Sequence, residues 1–337
     1  MRKVALCVLI LIGLVLCASL GNAEDLAGRV KKAVAKSTLD QPGTKPFHLK
    51  AELAPSYPRD SESGRTGTVE IWWKSPTEWR REVSCPIFHQ VQVVNGARIW
   101  QKNDGGYSPQ WLQQTAIELI DPLPKLQEAL SQIDGADIKH LMGSTYIEWM
   151  IPSTNGQVQS WIGATVALTD STGLLFYDGG FGWGGLFHDY KSFHGRMVAQ
   201  KVGVGSPEVT ATVVILEELN EAAGLFDVPA SGGDAPLLQT VLMNEMDARQ
   251  NLGPMEPVSW PPVKGGPLEG VTTAEIVIDR EGKVREVGPV VSANNDLNDF
   301  TRQLFEALRF KPFARDGVPV QVLTRITMSF KTARPSQ

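Results

Sequence analysis

The stretch Arg309–Phe330, RFKPFARDGVPVQVLTRITMSF, reads as an aromatic anchor, a tight turn and a long strand. Because the side chains of a strand alternate between its two faces, the even-numbered residues from 320 to 330 share one face and the odd-numbered residues share the other. The even face is the more apolar, so we expect it to pack while the odd face is left largely to water. The sequence therefore predicts that the chain closes on a strand of a small sheet.

The residues before this strand predict the rest of a small domain. The run from Gly270 to Val291 predicts two strands joined by a turn at Asp279–Gly282. A helix is expected next, because capping residues precede a set of apolar residues that share one helical face. The capping residues are Asn294, Asn295 and Asp296, and the apolar residues are Leu297, Phe300, Leu304 and Leu308. Positive backbone torsions are expected at Gly282 and Gly317.

This order of strand, strand, helix and strand resembles the TonB C-terminal domain family, which also shares three motifs with the chain. They are I-D-x-x-G-x-V at Ile278–Val284, F-x-P at Phe310–Pro312 and D-G-x-P-V at Asp316–Val320. The resemblance implies an edge strand that binds an extended peptide of an outer-membrane transporter or another envelope protein by strand addition. The residues that it assigns to partner-strand pairing are Thr324, Arg325, Ile326, Thr327, Met328, Ser329 and Phe330. An exposed edge also permits a homodimer through the C-terminal domain.

The chain before this domain reads as a series of strands around two short helices. Turn signals separate the strand patterns HLKAEL, GTVEIWW, EWRREVS, FHQVQVV, ARIWQK, STYIEWMI, TGLLFYD, HDYKSF, RMVAQKVGV and EVTATVVILEEL. Asn95-Gly96 is a strong hairpin signal. The run WLQQTAIELIDPLPKLQEALSQID predicts two helices, because Pro122 and Pro124 interrupt the helical hydrogen bonds. These patterns predict one antiparallel sheet wrapped around a few helices.

Several short motifs of this region resemble the half-barrel of LolA-type periplasmic lipoprotein carriers and sorting factors. They are Lys74-Ser75-Pro76, Trp79-Arg80, Asn95-Gly96 with Trp100, and Leu225–Pro229. The resemblance implies an apolar cavity for a lipid or a lipoprotein acyl chain. The tryptophans expected to line it are Trp72, Trp79, Trp100, Trp111 and Trp149. Plain packing in the core or on the surface is the alternative role for tryptophans on strands.

The N-terminus, MRKVALCVLILIGLVLCASLGNAED, has the layout of a secretory signal peptide. A basic start is followed by an apolar run and by small residues at Gly21 and Ala23, which predicts cleavage after Ala23 and a periplasmic location. The alternative is a retained anchor in the inner membrane. The formal net charge is −5, which argues against nucleic acid as a partner.

The predicted fold class is therefore α+β, with an antiparallel half-barrel that carries inserted helices and a small C-terminal ββαβ domain. The predicted segments are a signal peptide at 1–23, a LolA-like domain at 24–229, a Pro/Gly-rich linker with a short helix at 230–267, a TonB-like domain at 268–332 and a tail at 333–337.

The predicted function is that of a periplasmic, non-enzymatic interaction protein that binds an extended peptide through its C-terminal domain and a lipid or lipoprotein through its N-terminal domain. The alternative is a membrane-anchored energy transducer of the TonB type for outer-membrane transport. A hydrolase in the first domain is a third class, because a fold does not fix a function. No motif predicts catalytic residues, a metal site or a cofactor.

Overall fold

The computed structural model describes residues 26–57, 64–124, 126–131, 133–152, 159–179, 184–205, 208–220 and 222–335. The predicted signal peptide lies outside these ranges. The chain divides into unit 1, which comprises Met1–Asp40 and Ile117–Lys201, and unit 2, which comprises Gln41–Ala116 and Val202–Gln337. No helix in the described ranges is long and apolar enough to cross a membrane.

The described strands are β1 (Phe47–Pro55), β2 (Gly67–Ser75), β3 (Glu78–Cys85), β4 (Phe88–Asn95), β5 (Arg98–Asp104), β6 (Asp137–Leu141), β7 (Ser144–Pro152), β8 (Gln159–Thr169), β9 (Leu175–Gly179), β10 (Gly185–His188), β11 (Lys191–Phe193), β12 (Arg196–Val198), β13 (Lys201–Val204), β14 (Val209–Glu218), β15 (Thr240–Leu242), β16 (Glu269–Ile278), β17 (Val284–Val287), β18 (Val291–Ser292), β19 (Ala314–Arg315), β20 (Val318–Pro319) and β21 (Gln321–Lys331). The described helices are α1 (residues 26–37), α2 (Gln110–Glu118), α3 (Leu126–Ser131), α4 (Glu245–Arg249) and α5 (Asn298–Ala307).

The large sheet of unit 2 follows the order β5-β4-β3-β2-β1-β14-β13. The strands predicted over β1 to β5 are confirmed, and so is the Asn95-Gly96 turn, where Gly96 has a φ of 62°. Alternation along β1 buries Phe47, Leu49 and Ala51 completely. We call the side of the sheet that carries these three residues the inner face, and the opposite side the outer face.

The C-terminal part of unit 2 is a second sheet, with the order β15-β21-β16-β17 and with β18 paired to β16. The predicted order of strand, strand, helix and strand is present as β16, β17, α5 and β21. Phe305 of α5 is fully buried and packs in one core cluster with Ile276, Val322 and Ile326 of the sheet. The positive torsions expected at the two turn glycines are confirmed, with φ of 83° at Gly282 and 78° at Gly317.

The odd-numbered face of β21 is more buried than its sequence suggests. Gln321 is completely buried and Leu323 is 6% exposed. The reason is that residues 107 and 108 pack against this face. Leu323 shares a small cluster with Tyr107, while Gln321 donates from Nε2 to the Ser108 carbonyl over 2.8 Å. Only the later part of the odd face, from Arg325 onward, is partly or fully open to water, so the expectation holds for half of the strand.

A buried carboxylate holds the same segment in place. Glu286 of β17 accepts hydrogen bonds from the Tyr107 hydroxyl and from the Gln110 amide, and its other oxygen lies 3.9 Å from Arg65. Burial raises the pKa of Glu286 to about 6, although Arg65 and the backbone donors act in the opposite direction. The two sheets of unit 2 are therefore joined by polar contacts as well as by apolar packing.

The segment 230–267, predicted as a linker with a short helix, packs at several points against the rest of unit 2. Helical composition predicts a helix across Leu237–Gln250, but only α4 is helical and β15 pairs with β21 instead. Asp234 accepts a hydrogen bond of 2.6 Å from the Asn103 amide, and Trp260 packs against Phe330 at a centroid distance of 5.7 Å. Pairing and packing of this kind shorten the reach of the segment as a tether.

Unit 1 contains a sheet of order β10-β9-β8-β7-β6, the hairpin β11-β12 and the helices α1 and α3. The two helices predicted around the prolines are confirmed as α2 and α3. The elements of this unit that the sequence did not predict include α1, β6 and β8. The end of α1 is fixed by a hydrogen bond of 2.7 Å from the Leu39 amide to the Ile120 carbonyl.

Candidate functional site

The first candidate site is the outer edge of β21. Along one edge β21 pairs with β16 from Gln321 to Lys331. On its other side it pairs in parallel with β15, but only over Gln321–Leu323. No other described strand pairs with this second edge, so the strand continues past its neighbour by most of its length. Such an edge is a template for another extended chain.

Helix α4 covers the middle of this edge with two side chains. The Thr327 amide donates to Glu245 Oε1 over 2.8 Å, and the Thr327 carbonyl accepts from Arg249. The two side chains also form an ion pair of 2.7 Å across one turn of the helix. Because these contacts replace a neighbouring strand at one residue only, we call them the α4 cap.

The geometry of Thr327 shows which backbone groups point away from β16. Outward-facing residues recur at every second position of an antiparallel ladder, so the backbone groups of Arg325 and Ser329 point the same way as those of Thr327. The remaining predicted pairing residues direct their backbone groups toward β16. These residues are Thr324, Ile326, Met328 and Phe330, of which all but the half-buried Met328 are buried. Ser329 is the exposed member of the outward set.

The second candidate site lies on the inner face of the large sheet, around Arg81 of β3. The cross-strand register places Arg81 beside the core residue Ile71 on one side and Gln92 on the other. Arg81 Nη2 donates to Gln92 Oε1 over 3.0 Å and to Gln113 Oε1 of α2 over 3.3 Å. A guanidinium is thus held against a helix among the amide side chains of Gln92 and Gln113, with the core residue Ile71 on its other side.

The five tryptophans predicted to line one cavity do not share a face. The register pairs Trp79 with Trp73 on the inner face, while Trp72 and Trp100 belong to the outer face. Trp111 is buried on α2, only 6% exposed. The side chain of Trp149, in β7, lies outside the described residues. Because neighbouring side chains of a strand point to opposite faces, a single cavity cannot be lined by both Trp79 and Trp72.

The outer-face tryptophans have local partners. Trp72 stacks on His48 at a centroid distance of 5.2 Å, and the Arg80 guanidinium lies 5.8 Å from its ring centre. Trp100 donates from Nε1 to the Ser231 carbonyl over 3.3 Å. Both rings therefore act in packing and hydrogen bonding on the outer face.

Unit 1 contains a cluster of buried acids. Glu118 and Asp178 are each 1% exposed, and neither oxygen of Glu118 has a hydrogen-bond partner among the described residues. Burial, the nearby Asp178 and Asp121 raise the pKa of Glu118 well above its usual range. Burial also raises the pKa of Asp121 to about 6, with Asp40 adding to the effect. These carboxyl groups bind protons more tightly in the folded state than in the unfolded chain.

Stability is therefore expected to fall as the pH rises above about 4, where carboxyl groups of the unfolded chain lose their protons. Replacing Glu118 with glutamine removes one of these ionisations while keeping the shape of the side chain. The variant is expected to melt at a higher temperature than the parent at pH of about 8 and at a similar temperature at pH of about 4. Thermal unfolding followed by circular dichroism across this range measures both. Asp137→Asn, at an exposed position of β6 in the same unit, is the matched control, and an equal gain in the control would contradict the assignment.

Sequence reasoning missed both Arg81 and Glu118, although each carries a signal. Arg81 falls between Trp79 and Val83 in the alternation of β3, so it occupies a position where an inward-facing apolar residue is expected. Glu118 follows Thr115 by one helical turn on the buried side of α2. A charged residue in phase with a core pattern is the signal in both cases.

No family model matches the chain, and no curated protein matches its sequence. The solved structures that are similar to it at a distance include the following two. A LolA superfamily protein from Nitrosomonas europaea is 11% identical, with a TM-score of 0.36 over 58% of this chain and 96% of that chain. A DUF1329 family protein from Desulfovibrio piger ATCC 29098 is 10% identical, with a TM-score of 0.34 over 61% of this chain and 96% of that chain.

Proposed function

We propose that this chain is an interaction protein of the cell envelope that binds an extended peptide along the outer edge of β21. The observation that carries the proposal is the length of that edge beyond β15. From Thr324 to Lys331 it meets no described strand, and the α4 cap satisfies the outward groups of Thr327 alone. Main-chain hydrogen bonds along such an edge supply affinity for a strand of many sequences.

The rest of the domain holds β21 in place, so that its edge is ordered before a partner binds. Ile326 and Phe330 anchor it in the domain core, and β16 pairs with it over its full length. Because β21 is already ordered in the free protein, a partner strand binds without the entropic cost of ordering β21. The TonB-like motifs support the same function, and the partner that they imply is a peptide of an outer-membrane transporter or another envelope protein.

The α4 cap competes with such a partner. A peptide that pairs with Thr327 takes over the hydrogen bonds that Glu245 and Arg249 make in the structure. Each replaced bond contributes about 1 kcal/mol to the cap. The bound state therefore requires that the side chains of α4 leave the edge.

Ser329→Pro tests strand addition directly. Proline removes the outward amide of an exposed residue, where the ladder with β16 does not use that amide. A peptide selected from a random displayed library on the full chain is expected to bind the variant at least tenfold more weakly, which is about 1.4 kcal/mol. Isothermal titration calorimetry provides the dissociation constants.

Ser329→Ala is the matched control, because it keeps the amide and changes the side chain, and its affinity should equal that of the parent. A copy of the peptide with methylated backbone nitrogens should lose binding to every variant. Undiminished binding to Ser329→Pro would exclude strand addition at this edge.

Removing the α4 cap is expected to strengthen binding of the same peptide. The double substitution Glu245→Ala with Arg249→Ala frees the Thr327 amide and carbonyl for the partner. Two hydrogen bonds of ordinary strength correspond to a gain in affinity on the order of tenfold. The control is Glu281→Ala with Lys283→Ala, which removes an exposed ion pair of 2.8 Å in the same domain. Equal affinities for the parent and the cap variant would show that α4 does not compete.

A second candidate function is binding of a lipid or lipoprotein acyl chain on the inner face of the large sheet. The register aligns Trp79, Val94 and Ile99 in one row on this face. Ile99 is 53% exposed, and Trp79 is partly exposed, so the row offers apolar surface to a ligand. Binding of a simple alkyl chain to the protein, as measured by calorimetry, tests this function.

A further inference from the structure

We infer that the inner face of the large sheet in unit 2 carries an oxyanion site at Arg81, which binds the carboxylate or phosphate of a ligand. The inference deepens the second candidate function, on which it rests for the nature of the ligand's tail. The same chemistry is offered by two sources, the head group of an amphiphile or a free anion.

The first support is the unfilled hydrogen-bonding capacity of the guanidinium. Within the described residues, Arg81 donates to protein atoms from Nη2, to Gln92 and to Gln113. Nε is buried and has no hydrogen-bond partner among the described residues. A buried N–H group without a partner costs about 1–3 kcal/mol, so a ligand oxygen that accepts from Nε recovers that free energy.

The second support is the missing counter-charge. Arg81 has no ion pair with a carboxylate in the described part of the chain, whereas its neighbour Arg80 donates from Nε to Glu82 Oε1 over 3.0 Å. Burial alone lowers the pKa of Arg81 to about 10. A desolvated cation without an anion is unfavourable, and a planar guanidinium matches the oxygens of a carboxylate or phosphate. The site lacks the charge that an anionic ligand brings.

The third support is the set of amides that orients the site. Gln113 Nε2 donates to Gln90 Oε1 over 3.4 Å, and Gln90 Nε2 donates to Asn103 Oδ1 over 2.7 Å. The side-chain nitrogens of Gln113 and Gln90 both act as donors in this series of hydrogen bonds. The side-chain oxygen of Gln113 is therefore directed to Arg81. The guanidinium is thereby fixed at Nη2 before a ligand arrives, which lowers the cost of ordering it.

The fourth support is the position of the site beside the apolar row. Arg81 follows Trp79 by two residues on β3, so the two side chains share the inner face, and the guanidinium lies 5.8 Å from the centre of the Trp79 ring. A head group at Arg81 places an attached alkyl chain next to Trp79 and Ile99. Arg81, Gln92 and Trp79 are all partly exposed, so the site borders solvent, and a ligand oxygen reaches the buried Nε by displacing the groups that cover it.

The test uses calorimetric titration of the full chain with decanoate, with decanol and with inorganic phosphate. Decanoate is expected to bind the parent, and Arg81→Gln is expected to weaken it at least tenfold. The matched control is Arg80→Gln, on the outer face and paired with Glu82, for which the affinity should stay within about twofold of the parent. The Nε–H resonance of Arg81 in the parent should shift when decanoate is added, and this readout does not depend on how well a variant folds.

The outcomes distinguish a failure of the oxyanion site from a failure of the acyl-binding function. If phosphate binds as tightly as decanoate and both depend on Arg81, the oxyanion site stands and the acyl function fails. If decanol binds as tightly as decanoate and Arg81→Gln changes neither, the acyl function stands and the oxyanion site is excluded. If no probe binds and the Nε–H resonance does not move, both are excluded.

Discussion

Gly282→Ala is expected to destabilise the C-terminal sheet by about 3–5 kcal/mol. Gly282 has a φ of 83°, and a Cβ built on it would lie 1.9 Å from the Phe310 carbonyl oxygen. Its own carbonyl accepts a hydrogen bond of 2.8 Å from the Phe310 amide. The added methyl group therefore forces the two backbones apart and breaks this contact, in addition to the cost of a left-handed conformation for alanine.

Gly317→Ala separates these two costs. Gly317 has a similar φ of 78°, but a Cβ added at this position would meet nothing within 4 Å. Only the torsional cost of about 1–2 kcal/mol applies there. Hydrogen exchange of the amides in β16 and β21 measures the loss locally, which suits a chain of two compact units. Equal losses for the two substitutions would contradict the close approach of Gly282 to Phe310.

Trp73→Ala is expected to destabilise the large sheet of unit 2 by about 3–5 kcal/mol. Trp73 is 2% exposed and stacks on the fully buried Phe47 at a centroid distance of 5.4 Å. Truncation removes this contact and leaves a cavity on the inner face. The adjacent Trp72 lies on the outer face, where it is partly exposed, so Trp72→Ala should cost only about 1 kcal/mol.

Hydrogen exchange of the amides of β1 and β2 compares the two tryptophan variants under identical conditions. Trp72 and Trp73 are neighbours on the same strand and are the same residue type. The difference in lost stability between the two variants therefore reports which face of the sheet each side chain occupies. A larger loss for Trp72→Ala than for Trp73→Ala would reverse the assignment of inner and outer faces. That reversal would also move Arg81 to the solvent side and remove the basis of the oxyanion site.

Sequence patterns correctly predicted the strands and turns that depend on residues close together in the chain. Alternating apolar residues predicted β1 to β5, and Asn95-Gly96 predicted the turn between β4 and β5. The turn at Asp279–Gly282 was predicted from its end residues, and in the structure the Gly282 amide donates to the Asp279 carbonyl over 3.0 Å. Each depends on residues only a few positions apart, which a single sequence displays directly.

The candidate sites depend on contacts between distant residues, and for these the sequence is a weaker guide. Alternation separates Trp72 from Trp73, but only the register between strands places Trp79 with Trp73 and sets Trp100 apart from both. The α4 cap joins Glu245 to Thr327 across 82 residues of the chain. No periodic pattern in the sequence predicts a contact between residues so far apart in the chain.

The sequence by itself determined the strands β1 to β5, the tight turns and the order of β16, β17, α5 and β21, because backbone torsions and alternating burial act over a few residues. Tertiary structure decided which edge of β21 stays open and which of its residues are covered. The bond from Gln321 to Ser108 spans 213 residues, and it buries a glutamine on the face that alternation assigns to water. Only folding brings such residues together, since the free energy of burial depends on every element that packs at a position and not on the local order of side chains.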